Sequence, residues 1–144
     1  MLESAYVAGI IDGEGCVQFS WARTTMFARI LVVNTNLDLL MALKEQYGGD
    51  ISKLTRRLGW SQAYQWRLQH SRAVDLLDEV YPFLIVKRLQ AETVFAWQAC
   101  RPGRGGFSDS ETLALLSKRM KWLNSKGPKI GSDPVGDNYG DDTG

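Results

Sequence analysis

The sequence predicts an α+β fold in which a helix, two strands, a second helix and two further strands precede the last helices. Three observations predict this order. Two segments alternate apolar and polar residues with the period of a strand, others place apolar residues every three or four positions as helices do, and glycine or proline residues separate them. With 144 residues, of which 44% are hydrophobic, the chain is long enough for one core and too short for two.

The segment from residue 6 to residue 15 is compatible with two structures. Asp12-Gly13 is a favourable two-residue turn, so Tyr6–Ile11 and Cys16–Trp21 can be the two arms of a hairpin. A helix is the alternative, and it would be the first element of the order given above.

In the helical alternative, Ala5, Gly9 and Gly13 recur every four residues and form a stripe of very small side chains. Each glycine costs a helix about 1 kcal/mol relative to alanine, so such a stripe is expected where a second helix packs closely against it. If that helix belongs to another copy of the chain, two Glu14 carboxylates meet near the two-fold axis, at the negative ends of both helices. Like charges held so close require a cation, and a divalent metal ion would supply it.

A half-buried strand is predicted by the alternation that runs from Val17 to Ala28. Its inward phase is apolar and comprises Val17, Phe19 and Trp21, whereas its outward phase is mostly polar. The outward side chains are Cys16, Gln18, Ser20, Ala22 and Thr24. The β-branched and aliphatic segment Arg29–Val33 suits a second strand, and the polar residues 23–25 form the turn region of the hairpin.

The next helix is predicted from Leu37 to Tyr47, because its apolar residues follow the helical period. Asn34, Thr35 and Asn36 are candidate N-caps, and Gly48-Gly49 ends the helix.

A second pair of strands is predicted over Ile51–Arg57 and Ala63–Gln69. In the latter, apolar residues alternate with Gln65, Arg67 and Gln69, so one face is apolar and the other is basic and amide-rich. A short helix is then predicted over Ala73–Tyr81 and a longer one after Pro82, up to about Ala99. The capping-box pattern of Ser108 and Glu111 precedes the last helix, which Lys126-Gly127-Pro128 ends.

The composition excludes several kinds of site and location. The two cysteines, Cys16 and Cys100, cannot form a zinc cluster, and the single His70 excludes a site with two imidazoles. No run approaches 18 apolar residues, and residues 1–6 contain no basic run before an apolar stretch. We therefore expect an intracellular protein with no membrane span and no secretion signal.

The formal net charge of +1 is an average over two different regions. Residues 1–129 contain all 17 basic residues and 12 of the 16 acidic ones, a net charge of +5. We expect residues 1–129 to form the folded domain and the Gly- and Asp-rich tail, residues 130–144, to be disordered. Within the domain, Ile51–Arg72 holds five basic residues and no acid, a pattern typical of a solvated face or of a nucleic-acid contact.

One nine-residue segment carries a family resemblance. Residues 7–15, VAGIIDGEG, resemble the signature of the LAGLIDADG homing endonucleases. Two other segments resemble the same family: VNTN at 33–36, with Leu39-Leu40 and Gly48-Gly49 after it, and YPFLIVKRLQA at 81–91. The resemblance covers roughly residues 4–125. It implies an αββαββα core with a four-stranded antiparallel DNA-binding sheet and additional C-terminal helices, and the single copy of the signature implies a homodimer.

The resemblance also implies roles for individual residues. Glu14 would bind the catalytic metal ion together with the carbonyl of Gly13; Mg²⁺ is the expected ion, and Mn²⁺ or Ca²⁺ can occupy the site. Lys87 and Asn34 would act near the nucleophilic water and the scissile phosphate, with Thr35 as the alternative to Asn34. The implied dimer interface comprises Ala5, Ala8, Gly9, Asp12 and Gly13.

Asp12 would bond backbone at the helix seam rather than act in catalysis. A basic residue that some members bring from the following helix has no clear counterpart, since Leu37, Asp38 and Leu39 occupy that region.

The function implied is that of a homodimeric, site-specific homing endonuclease that hydrolyses double-stranded DNA at a long target and serves intron or intein mobility. Gln and Arg side chains suit adenine and guanine in the major groove. The side chains expected to contact DNA are Gln18, Ser20, Thr24, Arg29, Lys53, Arg56, Arg57, Gln65, Arg67 and Gln69. The alternative is a non-cleaving intron maturase, with intron RNA as a partner, or a DNA-binding protein; Glu14 and Lys87 favour the nuclease.

Overall fold

The computed structural model describes residues 1–55, 57–100, 110–125 and 131–135. The chain divides after Arg88 into two compact units. The first contains α1 (Ser4–Glu14), β1 (Gly15–Ala22), β2 (Thr25–Asn34), α2 (Leu37–Tyr47), β3 (Asp50–Lys53), β4 (Tyr64–Gln69), α3 (Ser71–Val80) and one 3-10 turn (Tyr81–Phe83). The second contains α4, which starts at the boundary (Arg88–Ala99), and α5 (Ser110–Asn124). The predicted α+β fold and its element order are confirmed, and no helix in the described ranges is long and apolar enough to cross a membrane.

The first element is a helix, so the hairpin alternative for residues 6–21 is wrong. Helix α1 buries Val7, Ala8 and Ile11 on one face. It passes directly into β1 at Gly15, where a Cβ atom would lie 2.8 Å from the carbonyl oxygen of Ile11. A glycine is therefore required at this junction, because the chain turns sharply against the last turn of the helix.

The four strands form one antiparallel sheet in the order β1-β2-β4-β3. A two-residue turn, Arg23-Thr24, joins β1 to β2, and Arg23 adopts a left-handed conformation with φ of 57°. Because the turn is this short, β2 already begins at Thr25, and residues 26–28 belong to the second strand rather than to the first.

The two faces of the sheet differ in burial. Val17, Ile30 and Trp66 belong to the inner face and are fully buried, and α1, α2 and α3 all contact the sheet. On the outer face, Gln18, Arg29 and their neighbours are only half-buried. The predicted alternation is confirmed at Val17 and Trp66 but is wrong at Trp21, which it places inward and which is 49% exposed near the end of β1. In the described part of the first unit, the polar side chains of the outer face are only partly buried.

Helix α2 has the predicted bounds. The Asn36 side chain accepts a hydrogen bond from the backbone N–H of Leu39 at 3.2 Å and caps the first turn. Gly48 and Gly49 follow the helix with φ of 85° and 90°, a region that favours glycine. The indole Nε1 of Trp66 donates to the carbonyl of Gly48 at 2.8 Å, so the end of α2 is fixed to the sheet.

Strand β3 is shorter than the predicted Ile51–Arg57, since it ends at Lys53. One further backbone bond joins Leu54 to Ala63, and the Gln62 amide caps the carbonyls of both residues. The local pattern does not mark this end, because Leu54 is followed by Thr55, a residue type that favours strands. The predicted capping residue Ser108 and the helix-ending residues 126–128 lie outside the described part of the chain.

The second unit has a buried charge. Arg119 of α5 is 1% exposed and pairs with Asp133 at 3.1 Å, and it also donates to the Thr93 hydroxyl of α4 at 3.3 Å. Residues 131–135, which the sequence assigns to the tail, therefore contact α5 through Asp133. The rest of the predicted tail, residue 130 and residues 136–144, lies outside the described residues.

Candidate functional site

Two polar side chains meet where α1 ends. Glu14 is the last residue of the helix and is exposed, and the Asn34 side-chain amide donates a hydrogen bond to its Oε2. The antiparallel pairing of β1 with β2, in which Gly15 faces Val32, brings the two residues together. The Oδ1 atom of Asn34 accepts from the backbone N–H of Asn36 at 2.8 Å, which fixes the orientation of the amide.

The electrostatics of this junction favour a cation. Glu14 lies at the negative end of the α1 dipole, and no basic side chain forms an ion pair with it in the described part of the chain. Its second oxygen, Oε1, has no hydrogen-bond partner among the described residues. The carbonyl of Gly13 belongs to the last turn, where carbonyls lack partners within the helix.

Asp12 ties α1 to the segment that carries Lys87. Its carboxylate accepts hydrogen bonds from the backbone N–H groups of Ile85, Val86 and Lys87 at 2.8, 3.0 and 2.9 Å. Lys87 is half-buried, and its ammonium group has no ion-pair partner within the described ranges. The structure thus links the Lys87 backbone to a residue two positions before Glu14.

The outer face of the sheet carries a paired arginine. Arg29 lies directly opposite Gln18 in the ladder, and both its Nε, at 3.0 Å, and its Nη2 donate to the Gln18 carbonyl. The Gln18 amide nitrogen in turn lies 3.3 Å from the sulfur of Cys16. Gln18 therefore orients Arg29, and its carbonyl is already occupied by that contact.

Solved structures of homing endonucleases share this architecture. The structure of I-CvuI in complex with its target has a TM-score of 0.66 and 20% sequence identity, over 92% of this chain and 87% of that one. I-TnaI has a TM-score of 0.65 and 21% identity, over 88% and 90%. I-SmaMI, a LAGLIDADG homing endonuclease bound to cleaved DNA, has a TM-score of 0.63 and 18% identity. The match covers 92% of this chain and 53% of I-SmaMI, so this chain spans about half of that protein.

This chain has the LAGLIDADG homing endonuclease fold. No protein-family model and no curated protein matches the sequence, so the likeness is one of structure.

In this LAGLIDADG fold, the signature residues 7–15 form most of α1 and the first residue of β1. Ala5, Gly9 and Gly13 lie on the exposed side of α1, and a Cβ atom at either glycine would meet nothing within 4 Å. Ala8 is different: it is fully buried beside Val7, so it packs in the core of its own chain and does not belong to the exposed stripe. Its position in the predicted dimer interface is therefore corrected.

The other residues of the predicted DNA surface fall in different places. Gln65, Arg67 and Gln69 lie beside the buried residues Trp66 and Leu68 and on the outer face; Ser20 shares the phase of Gln18 in β1, and Thr24 is exposed in the β1–β2 turn. The structure does not place the three remaining predicted DNA contacts on the outer face; they are Lys53, Arg56 and Arg57.

Lys53 pairs with Tyr64 across the β3–β4 ladder. Tyr64 lies two residues before the buried Trp66 and so belongs to the same side of the sheet. Lys53 therefore belongs to the helix-facing side, at the edge of the sheet. Arg57 follows β3 in the loop, and its guanidinium lies 5.7 Å from the centre of the Trp60 ring. Arg56 lies outside the described residues. The DNA contacts predicted from the sequence do not include Arg72 at the start of α3, although it closes the acid-free segment that begins at Ile51.

Proposed function

We propose that this chain is a homodimeric, site-specific endonuclease of the homing type, which hydrolyses double-stranded DNA with a divalent metal ion. One observation carries the proposal: the exposed Glu14, at the end of α1 in a LAGLIDADG fold, is held by Asn34 and lies beside a stripe of very small residues. A carboxylate in that position is suited to bind a metal ion rather than to stabilise the fold.

Self-association through α1 is supported by its exposed surface. Gly9 and Gly13 leave open space on the helix, which permits the close approach of another backbone. Tyr6, Ile85 and Val86 are 55%, 83% and 63% exposed, and such apolar side chains favour burial in an interface. In a two-fold dimer the same patch meets itself, and the two Glu14 carboxylates converge.

The metal site needs that second protomer. Among the described residues there is no group of three or more His, Cys, Asp or Glu side chains that could hold an ion. Glu14 and the Gly13 carbonyl supply oxygen ligands, which Mg²⁺, Mn²⁺ and Ca²⁺ prefer. When bound, the ion would stabilise negative charge on the phosphate and the leaving oxygen. The structures of I-CvuI were determined with calcium in one case and magnesium in another.

Lys87 and Asn34 are proposed to complete the site. Lys87 offers an ammonium group that no described carboxylate neutralises, so its charge remains available to a scissile phosphate. The amide of Asn34 is fixed by the backbone of Asn36, and in this orientation it can position Glu14 and a water molecule.

The outer face of the sheet is proposed to lie in the major groove. Strand β2 has 10 residues and therefore spans about 33 Å, which is close to ten base pairs of DNA. The Gln18 carbonyl already accepts a hydrogen bond from Arg29. The two side chains would therefore contact guanine together, rather than Gln18 alone contacting adenine. I-CvuI in complex with its target and I-SmaMI bound to cleaved DNA support DNA as the ligand of this fold.

A randomised-site plasmid library tests the proposal. We expect the purified protein to cut a few long related sites in Mg²⁺ and to cut nothing in EDTA. Binding of such sites without cutting in any divalent metal would contradict the nuclease and favour a DNA-binding or maturase role. Equal cutting with and without EDTA would contradict the metal requirement.

A further inference from the structure

A basic cleft lies where the outer face of β4 meets the start of α3. It has a volume of about 280 Å³, and its charged side chains are Arg67, Arg72 and Asp50. The cleft is distinct from the Glu14 site: Tyr64 pairs with Asn34 beside Glu14, whereas Arg67 and Gln69 are three and five residues further along β4. At about 3.3 Å per residue, these two cleft residues lie about 10 Å and about 17 Å along the strand from Tyr64.

Within the described residues, neither guanidinium group of the cleft has a hydrogen-bond or ion-pair partner. The Nε atom of Arg67 is buried and has no hydrogen-bond partner among the described residues. Arg72 likewise makes no hydrogen bond or ion pair within the described part of the chain. Asp50 lies opposite Arg67 in the β3–β4 ladder, yet the two form no ion pair within 4 Å. A buried donor without an acceptor, such as the Arg67 Nε, is costly, and a bound ligand with acceptor oxygens removes that cost; the exposed Arg72 adds a second positive charge.

The surrounding backbone holds these groups in place. The guanidinium of Arg72 lies against Gly48, where a Cβ atom would overlap its Nη1. Trp66 fixes Gly48 by the indole hydrogen bond described above. The ring of His70, which also lines the cleft, stacks on Phe27 with a centroid separation of 4.4 Å. The cleft is therefore shaped before any ligand arrives.

The start of α3 adds hydrogen-bond donors. Ser71 and Arg72 belong to its first turn and line the cleft, and the preceding His70 side chain forms no capping bond. Free N–H groups at a helix start favour an anion. They supplement the two arginines, which form the main part of the site.

We propose that this cleft binds one backbone phosphodiester of double-stranded DNA; the proposal rests on the proposed function as a DNA-binding enzyme. Guanidinium groups match the oxygens of a phosphate, and Arg67 and Arg72 together outweigh the single charge of Asp50. A contact to phosphate carries no base information. The cleft therefore fixes the position of the duplex along the sheet edge through Arg67 and Arg72, while other outer-face residues, such as Gln18 and Arg29, contact the bases.

Binding of a fixed-sequence duplex of about 30 base pairs, measured in EDTA by fluorescence anisotropy over a range of salt concentrations, tests this proposal. Arg72→Gln should weaken binding about tenfold and reduce the slope of log K against log salt by about 0.9. Asp50→Asn should tighten binding, because it removes the negative charge of the cleft. Lys44→Gln, which removes one exposed charge from α2, is the matched control and should change the affinity less than about twofold.

Two results would contradict phosphate binding in the cleft without contradicting the proposed function. The first is that Arg72→Gln has the same salt slope and the same affinity as the wild-type chain. The second is a loss that differs between two duplexes of unrelated sequence, which would indicate a base contact instead. If the wild-type chain binds neither duplex at any salt concentration, the proposed function itself fails, and the cleft proposal fails with it.

Discussion

Replacing Asp12 by alanine removes the acceptor of three backbone hydrogen bonds, those of Ile85, Val86 and Lys87. A hydrogen bond contributes about 0.5–1.5 kcal/mol net, and one to a charged group contributes more. Because Ile85 and Val86 are exposed, water can replace the lost acceptor at two of the three sites. We therefore expect a loss of about 2 kcal/mol in the free energy of unfolding, or about 6 °C in melting temperature.

Urea unfolding at one fixed protein concentration measures this loss, and DNA cleavage measures its consequence for Lys87. Asp12→Asn retains one acceptor oxygen and should lose about 1 kcal/mol. Asp75→Asn is the matched control, because Asp75 is exposed on α3 and makes no hydrogen bond in the described ranges; it should change stability by less than about 0.5 kcal/mol. If Asp12→Ala is as stable as this control, the three hydrogen bonds do not hold α1 to the Lys87 segment.

Three further predictions concern other parts of the chain. Gly9→Ala should stabilise the isolated protomer by up to about 1 kcal/mol yet weaken self-association in sedimentation experiments; a tighter dimer would contradict the α1 interface. Burial and the neighbouring Glu79 raise the pKa of Tyr47 to about 12, so the stability that its neutral form contributes below pH 10 is lost between pH 10 and 12. Over that range the unfolding free energy should fall relative to Tyr47→Phe, and parallel curves would refute this. Asp133→Asn removes the carboxylate that lies 3.1 Å from the buried Arg119 and should cost about 2 kcal/mol in thermal unfolding, whereas an unchanged melting temperature would show that the pair is dispensable.

Local sequence patterns predicted the elements whose signals are themselves local. Helix α2 has the predicted bounds, because Asn36 caps it and Gly48 ends it within a few residues of its apolar stripe. The alternation of strand residues also predicted which side chains lie on the outer face, since successive side chains of a strand point to opposite sides.

Features that depend on distant residues were not predictable in this way. The bonds of Asp12 join residues more than 70 positions apart, and no local pattern identifies their donors. Ala8 was assigned to the dimer interface by the family resemblance, but the direction in which α1 faces the core decided its burial. Lys53 was expected on the DNA surface, and only the register of β3 against β4 places it in the other phase.

The most direct test of the account compares Glu14→Gln with Glu3→Gln, a carboxylate at the other end of the same helix. Both variants, and the wild-type chain, are assayed for binding and for Mg²⁺-dependent cleavage of a site selected from the randomised library. We predict that Glu14→Gln lowers the cleavage rate at least about 100-fold while its affinity for the site stays within about threefold, and that Glu3→Gln behaves as wild type. Undiminished cleavage by Glu14→Gln would contradict the proposal that this residue holds the metal ion of a DNA endonuclease.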